Sequence, residues 1–289
     1  VPAAELGKPG AVLFLSWKPR LDRRFAAKLE QEGWVCEVQQ IREAIDPEYF
    51  QKFNLFVTSE FYRAGTEEHP GTREWQANLA QVLKRVRQGA GYLSYIYGGH
   101  ANRVAWNEYM RDLGVQVKHA GIIDRSLGFK HWKAYIQNGY VWTENLNEDH
   151  PVTAGLRRFY YVMGELNATG VYCSYPLELD DRWTPLVKSM SGAFIASLYF
   201  PRKDWWYESE KPGEWPFVAV RGLGKGRMGV VAIAPQFTHR GGYQGGSVYE
   251  LRIPETDGLM LEKGNGLVTS DTLGTLKRMY RWLSANSWK

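Results

Sequence analysis

Four short apolar runs punctuate the first hundred residues, and they constrain the fold more than any other feature. They are Ala11-Val12-Leu13-Phe14-Leu15, Trp34-Val35-Cys36-Glu37-Val38, Leu55-Phe56-Val57-Thr58 and Tyr92-Leu93-Ser94-Tyr95-Ile96-Tyr97. Short runs without polar alternation read as strands buried on both faces, the habit of parallel sheets. Parallel neighbours need crossover connections, and the intervening sequence supplies them. Residues 21–32 set Phe25, Ala26 and Leu29 on one helical face and stop at Gly33. Asp46 opens a short helical turn that runs to Phe50. Residues 72–88 place Trp75, Leu79, Val82, Leu83 and Val86 at three- and four-residue steps and stop at Gly89-Ala90-Gly91. Residues 104–113 read as a further helix. Right-handed crossovers then give a flavodoxin-like, doubly wound α/β sheet, mainly parallel, with helices on both faces.

The second half has a different pattern. Residues 171–175, 184–188, 193–200 and 216–221 alternate like strands, and 228–234 is strongly apolar. Gly222-Leu223-Gly224-Lys225-Gly226-Arg227 invites comparison with a nucleotide loop, but between two strand-like runs it reads better as a hairpin tip. An antiparallel extension of the sheet is therefore expected. Residues 270–285 form a closing amphipathic helix with Asp271 near its start and Leu273, Leu276, Met279, Tyr280 and Leu283 facing inward. No Pro/Ser-rich linker divides the chain. One domain over residues 1–289 is expected, with a leader at 1–10 and long loops at 201–216 and 237–268.

The order of these segments resembles the class I glutamine-amidotransferase-like superfamily, and within it the ThuA-like (trehalose utilisation) branch. The resemblance rests on the first and third strands and on Gly89-Ala90-Gly91 leading into the fourth. It rests also on Asp149-His150-Pro151-Val152-Thr153-Ala154-Gly155-Leu156, on Trp183-Thr184-Pro185-Leu186-Val187, on Gly224-Lys225-Gly226-Arg227 before its strand, and on the closing Arg281-Trp282-Leu283. Together these span most of the chain. The resemblance implies a fold and does not settle an activity. A glutaminase of that superfamily carries a nucleophilic Cys on the sharp turn after the fourth strand. Here the turn reads Ile96-Tyr97-Gly98-Gly99-His100-Ala101-Asn102, without Cys. The late His-Pro-Glu motif is missing too; the nearest match is Gln236-Phe237-Thr238-His239-Arg240. Glutamine hydrolysis by a Cys-His pair is therefore not expected.

In open α/β sheets, ligands bind beyond the carboxyl ends of the strands. That rule selects Ser16 and Trp17, then Ser59, Glu60 and Tyr62, then Tyr97 to Asn102, and finally His239 and Arg240. Glu60, His100 and His239 are the candidates for acid/base chemistry. Trp17, Tyr62, Tyr97, Asn102 and Arg240 are candidate ligand contacts. Gly98-Gly99 can bring backbone N–H groups close to an anion or a sugar oxygen. His150, ahead of Pro151, reads as a structural turn residue. Cys36 and Cys173 read as buried strand thiols whose pairing the sequence leaves open.

Composition narrows the function classes. Lys and Arg total 36 against 31 Asp and Glu, and the basic residues are scattered, so no nucleic-acid-tracking patch is expected. The six His form no metal-ligand spacing, and no cofactor loop is present. No apolar run is long enough to span a bilayer. The small-residue leader without an initiator Met fits a bacterial protein exported, secreted or periplasmic, after loss of its signal, and fits also a chain trimmed at its start; export is the expectation carried forward. The twelve Trp divide: Trp34, Trp75, Trp106 and Trp282 sit in regular elements and are expected in the core. Trp205, Trp206 and Trp215 fall in a charged loop and are candidate stacking surfaces. Two readings follow. One is a carbohydrate-handling protein that takes a sugar, glycan or other small polar ligand on the strand-end rim. The other is a non-catalytic interaction or scaffold domain that spends its Trp-rich and Gly-rich loops on a protein partner or a homo-oligomer.

Overall fold

The computed structural model of the chain describes residues 6–16, 23, 26–27, 29–58, 72–96, 100–118, 120–124, 140–162, 174–197, 211–233 and 270–285. Strands β1 (Ala11–Ser16), β2 (Val35–Gln40), β3 (Leu55–Thr58) and β4 (Gly91–Tyr95) lie within a residue or two of the four apolar runs. Helix α1 (Thr72–Gln88) lies between β3 and β4, and helix α2 (His100–Met110) follows β4. In the second half come β5 (Val115–Val117), β6 (Ala120–Asp124), β7 (Tyr140–Thr143) and β8 (Phe159–Val162). They are followed by β9 (Leu177–Leu179), β10 (Thr184–Lys188) and β11 (Ala193–Ser197). The hairpin of β12 (Pro216–Leu223) and β13 (Gly226–Val231) precedes the closing helix α3 (Thr272–Ser284).

The main sheet has seven strands in the order β10-β12-β13-β4-β3-β1-β2. The pairs from β13 through to β2 are all parallel. With β13 as the fifth parallel strand, this is the flavodoxin-like order 2-1-3-4-5. β12 and β10 add antiparallel strands beyond β13, so the expected extension is present. The remaining second-half strands do not join the sheet. They pair as the separate ribbons β5-β9, β6-β11 and β7-β8.

Register assigns the two faces, because residues paired across strands point the same way. Leu13, Leu15, Phe56, Thr58, Tyr92, Ser94, Met228 and Val230 share the first face. There Trp106 of α2 donates its indole N–H to Ser94 Oγ at 2.9 Å, and Phe50 and Phe53 pack on Phe56. Trp75 of α1 meets Tyr109 of α2 edge to face at 4.6 Å. On the second face, Phe14 meets Tyr280 of α3, and Gly229 lies under Met279 and Leu283. The helical residues Ala26 and Leu29 are buried, and Glu32 at the end of their turn pairs with Lys277 of α3. Helices cover both faces, as the apolar runs require.

The expected inner positions of α1 and α3 are buried, with Leu83 and Leu273 partly so. Helix α2 begins four residues before the expected position. Its first turn, His100-Ala101-Asn102-Arg103, contributes no apolar stripe, so periodicity alone does not register it until Val104. It ends in a 3-10 turn, Arg111–Leu113, closed by Gly114 in the left-handed region. Asp271 stands at the start of α3, but its carboxylate does not cap that helix. It accepts the backbone N–H groups of Arg157 at 2.8 Å and Arg158 at 3.1 Å, tying the lead-in to β8 to the helix start.

The Gly-x-Gly-x-Gly segment is a hairpin tip, as its place between two strands implies. The glycines answer to the end of α1. Gly224 has φ +61, and the next residue, Lys225, donates its N–H to the Arg87 carbonyl at 3.0 Å. A Cβ on Gly226 would stand 2.1 Å from the Val86 carbonyl oxygen and 2.2 Å from that of Ala90. Backbone atoms cannot swing aside as a flexible side chain can. Gly226→Ala is therefore expected to destabilise the fold by about 2–3 kcal/mol, the usual cost of overpacking. Urea unfolding measures this, and a loss below about 0.5 kcal/mol, the scale of an ordinary surface change, contradicts the close approach.

Candidate functional site

The carboxyl ends of β1, β3, β4 and β13 form one edge of the parallel sheet, and Ser16, Thr58, Tyr95 and Val231 are their last residues. Ser16 and Thr58 are buried although both are polar. Strand β1 pairs with β2 on one side and β3 on the other, so the chain reverses its order there. That switch point is where open α/β sheets leave a crevice.

Beneath the edge, the first face holds a closed chain of hydrogen bonds. Thr58 Oγ1 and the Tyr92 hydroxyl are 2.7 Å apart, Tyr92 also bonds Ser94, and Ser94 Oγ accepts from Trp106. Burial pushes the Tyr92 phenol up to about 12 despite the two hydroxyls that oppose the shift, so it stays neutral. The chain links the end of β3 to α2 and fixes where the first turn of α2 stands above the sheet. In that turn Arg103 is buried, with its guanidinium 5.1 Å from the Tyr175 ring centroid.

The structure puts the start of α2 at His100, five positions after the end of β4. The side chains of His100 and Asn102 lie outside the described residues, as do Trp17, Glu60, Tyr62, Tyr97, Trp205, Trp206, His239 and Arg240. What can be stated for these residues is their attachment in the chain. Trp17 follows β1, Glu60 and Tyr62 follow β3, Tyr97 follows β4, and His239 and Arg240 come after β13.

Trp215 needs correction. Its charged sequence neighbours group it with Trp205 and Trp206. Its indole N–H donates to the Ala193 carbonyl at 3.1 Å, and its backbone N–H donates to Ser189 Oγ at 2.9 Å. Trp215 is packed against the core beside β11 and is not a free stacking face. A polar local sequence describes the loop's outer side and says nothing of a side chain that turns inward. Trp34, Trp75 and Trp106 are buried, as expected, and Trp282 is packed against the core.

Cys36 is the second residue of β2, about four residues or 13 Å from that strand's carboxyl end. It is a free, partly buried thiol. Burial, helped by Glu30, pushes it up to about 12, so at neutral pH it is not the thiolate that nucleophilic chemistry needs. Cys173 lies outside the described residues. Iodoacetamide at pH 8 is expected to leave Cys36 unmodified in the folded chain and to label it after unfolding. Peptide mass mapping reads this, and rapid labelling of the folded chain contradicts it.

His150 stands where the sequence put it, in a structural turn. Its Nδ1 accepts the Val152 N–H at 3.2 Å, and its ring meets the Trp282 ring of α3 at 4.9 Å. The Arg227 guanidinium lies 4.4 Å from the same Trp282 ring. Burial, then the Arg227 charge, lowers His150 to about 4. Between about pH 4 and the ordinary 6.5, the unfolded chain binds a proton that the folded chain does not. Stability is therefore full above pH 6.5 and falls as pH drops towards 4. His150→Asn keeps an acceptor for Val152 and removes the titration. Chemical denaturation across this range should show a shallower pH slope for that variant, and identical slopes refute the assignment.

Among the described residues no group of His, Cys, Asp or Glu is arranged to hold a metal ion, and no helix is long and apolar enough to cross a membrane. No protein-family model matches the chain, and no curated protein matches it. Solved structures do. A cytoplasmic protein of Salmonella typhimurium LT2 is similar at 10% identity and TM-score 0.51, covering 95% of this chain and 99% of that one. A ThuA-like protein of Bacteroides uniformis is similar at 13% identity and TM-score 0.45, covering 92% and 96%. A glutamine amidotransferase of Thermotoga maritima is similar at 12% identity and TM-score 0.46, covering 96% and 98%. At 10% identity the Salmonella protein speaks to fold alone, and the strand order itself makes this fold α/β and flavodoxin-like.

Proposed function

We propose that residues 1–289 form one ligand-binding domain that takes a carbohydrate or similar small polar ligand at the carboxyl ends of its parallel strands. The observation that carries this reading is the attachment of the candidate side chains. Glu60, His100 and His239, with Trp17, Tyr62, Tyr97, Asn102 and Arg240, follow the carboxyl ends of β1, β3, β4 and β13, around a switch point. In this reading Glu60 and the two His hold sugar hydroxyls or exchange protons with them, and Trp205 and Trp206 supply aromatic faces. Glutaminase chemistry is not part of it. The turn after β4 has no Cys, and Cys36 lies at the other end of an edge strand with its proton held. Export to the periplasm or medium belongs to the proposal, and fractionation that finds the chain in the cytoplasm of its source cell removes that part.

Saturation-transfer NMR against glucose, galactose, mannose, N-acetylglucosamine, maltose and cellobiose tests the core of the reading. At least one sugar is expected to bind, and Glu60→Ala, His100→Ala and His239→Ala are each expected to weaken it by about tenfold, the scale of a lost charge-assisted hydrogen bond. A chain that binds none of the six, or three variants that bind like the wild type, overturns it.

A further inference from the structure

The Ser174 side chain is buried, and its hydroxyl has no hydrogen-bond partner in the chain. Folds rarely bury a hydroxyl unpaired, and such a group calls for a water or a ligand. Its location narrows the choice. Ser174 pairs antiparallel with Ile233, and the Tyr175 N–H donates to the Ala232 carbonyl at 2.8 Å. Both partners lie just beyond Val231, the last residue of β13, which pairs with Tyr95, the last residue of β4. Ser174 therefore stands at the carboxyl edge, one strand beyond β13.

Its face follows from its neighbour. Tyr175 turns to the first face, where Arg103 of α2 lies over its ring. Successive residues of an extended segment alternate, so Ser174 turns to the second face, the side of α3. Register puts Tyr95, Ser16 and Gln40 on that same face, at the last positions of β4, β1 and β2. The row runs across the switch point and carries no charge. Hydroxyl and amide groups both donate and accept, which suits a run of sugar hydroxyls and offers nothing to neutralise a phosphate or carboxylate.

We infer that Ser174 is a ligand-contacting residue of the carboxyl-edge site, and that a neutral polyhydroxylated part of the ligand lies along the α3 side of that edge, over Tyr95, Ser16 and Gln40. This rests on the function proposed above and adds to it a side of the sheet, a residue and a charge class. On the opposite face hydrogen bonds run from Thr58 to Trp106, and among the described residues no such hydroxyl is left there.

The 289-residue chain is titrated with the six neutral sugars above and with glucuronate and glucose 6-phosphate, as wild type and as Ser174→Ala. Neutral sugars are expected to bind in preference to the two anions. Ser174→Ala is expected to weaken the neutral sugar by about five- to tenfold, as one lost hydrogen bond does, with the melting temperature unchanged or raised. Affinity within twofold of wild type, or preference for the anionic sugars, overturns the inference. The same holds if Ser174→Ala lowers the melting temperature and leaves affinity alone, which marks a structural hydroxyl. If Ser174→Ala binds normally while Glu60→Ala does not, the carboxyl-edge reading stands and this inference alone falls. A wild type that binds no sugar removes both.

Discussion

The tip of the β12–β13 hairpin is the contact on which the rest of the architecture depends. Helix ends leave carbonyls without intrahelical partners, and this fold brings two such ends to one place. The Lys225 N–H serves Arg87 at the end of α1, and the Arg227 N–H serves Ala90 just beyond it. The Arg227 guanidinium reaches across to the Trp282 carbonyl of α3 at 2.7 Å and lies against the Trp282 ring. One short turn thus ties a helix on each face to the strand between them. Gly226 permits the approach, and β13 is thereby seated beside β4 as the fifth parallel strand. The loop bearing His150 leans on the same Trp282, and Arg278 of α3 donates to the Ala154 carbonyl at 2.7 Å. The sequence segments that resemble a known superfamily are largely the parts of this tie. That explains why they speak for a fold and not for an activity.

With β13 in place, the carboxyl edge is complete and its two sides differ. On the α2 side, Thr58, Tyr92, Ser94 and Trp106 satisfy one another, which makes that side a rigid support for the first turn of α2. On the α3 side, strand-terminal polar residues stand in a row that ends at the unpartnered hydroxyl of Ser174. A closed network holds a helix in position, whereas the buried Ser174 hydroxyl is left without a partner.

The first half was readable in sequence because each element there is fixed by neighbours close in the chain. Buried strands declare themselves as apolar runs, and α1 by its Trp75–Val86 stripe. The start of α2 is not legible because His100-Ala101-Asn102-Arg103 carries no apolar stripe. The second half was less readable because its ribbons join residues far apart, such as Ala120 with Ser197 and Val115 with Leu179, and a three- to five-residue strand carries little pattern of its own. Trp215 misled for a related reason. Its charged neighbours point to solvent, while the indole is held by Ala193, twenty-two residues upstream. Of the candidate site, the sequence supplied the strand ends and the residues after them. Ser174 is not legible in the sequence, where it is one residue of an alternating run, because nothing in Cys173-Ser174-Tyr175 tells which neighbour leaves a hydroxyl unpaired.

By itself, then, the sequence determined the parallel sheet, its covering helices and the lack of a Cys on the turn after the fourth strand. These are local matters of periodicity, punctuation and residue identity. Tertiary structure decided that β13 closes the parallel order, that β5, β6, β7, β8, β9 and β11 pair off as ribbons, and which side of the carboxyl edge holds the unpartnered hydroxyl. Those depend on which separated backbone groups find each other, and hydrogen-bond pairing between segments well apart in the chain leaves no mark on the local pattern of either partner.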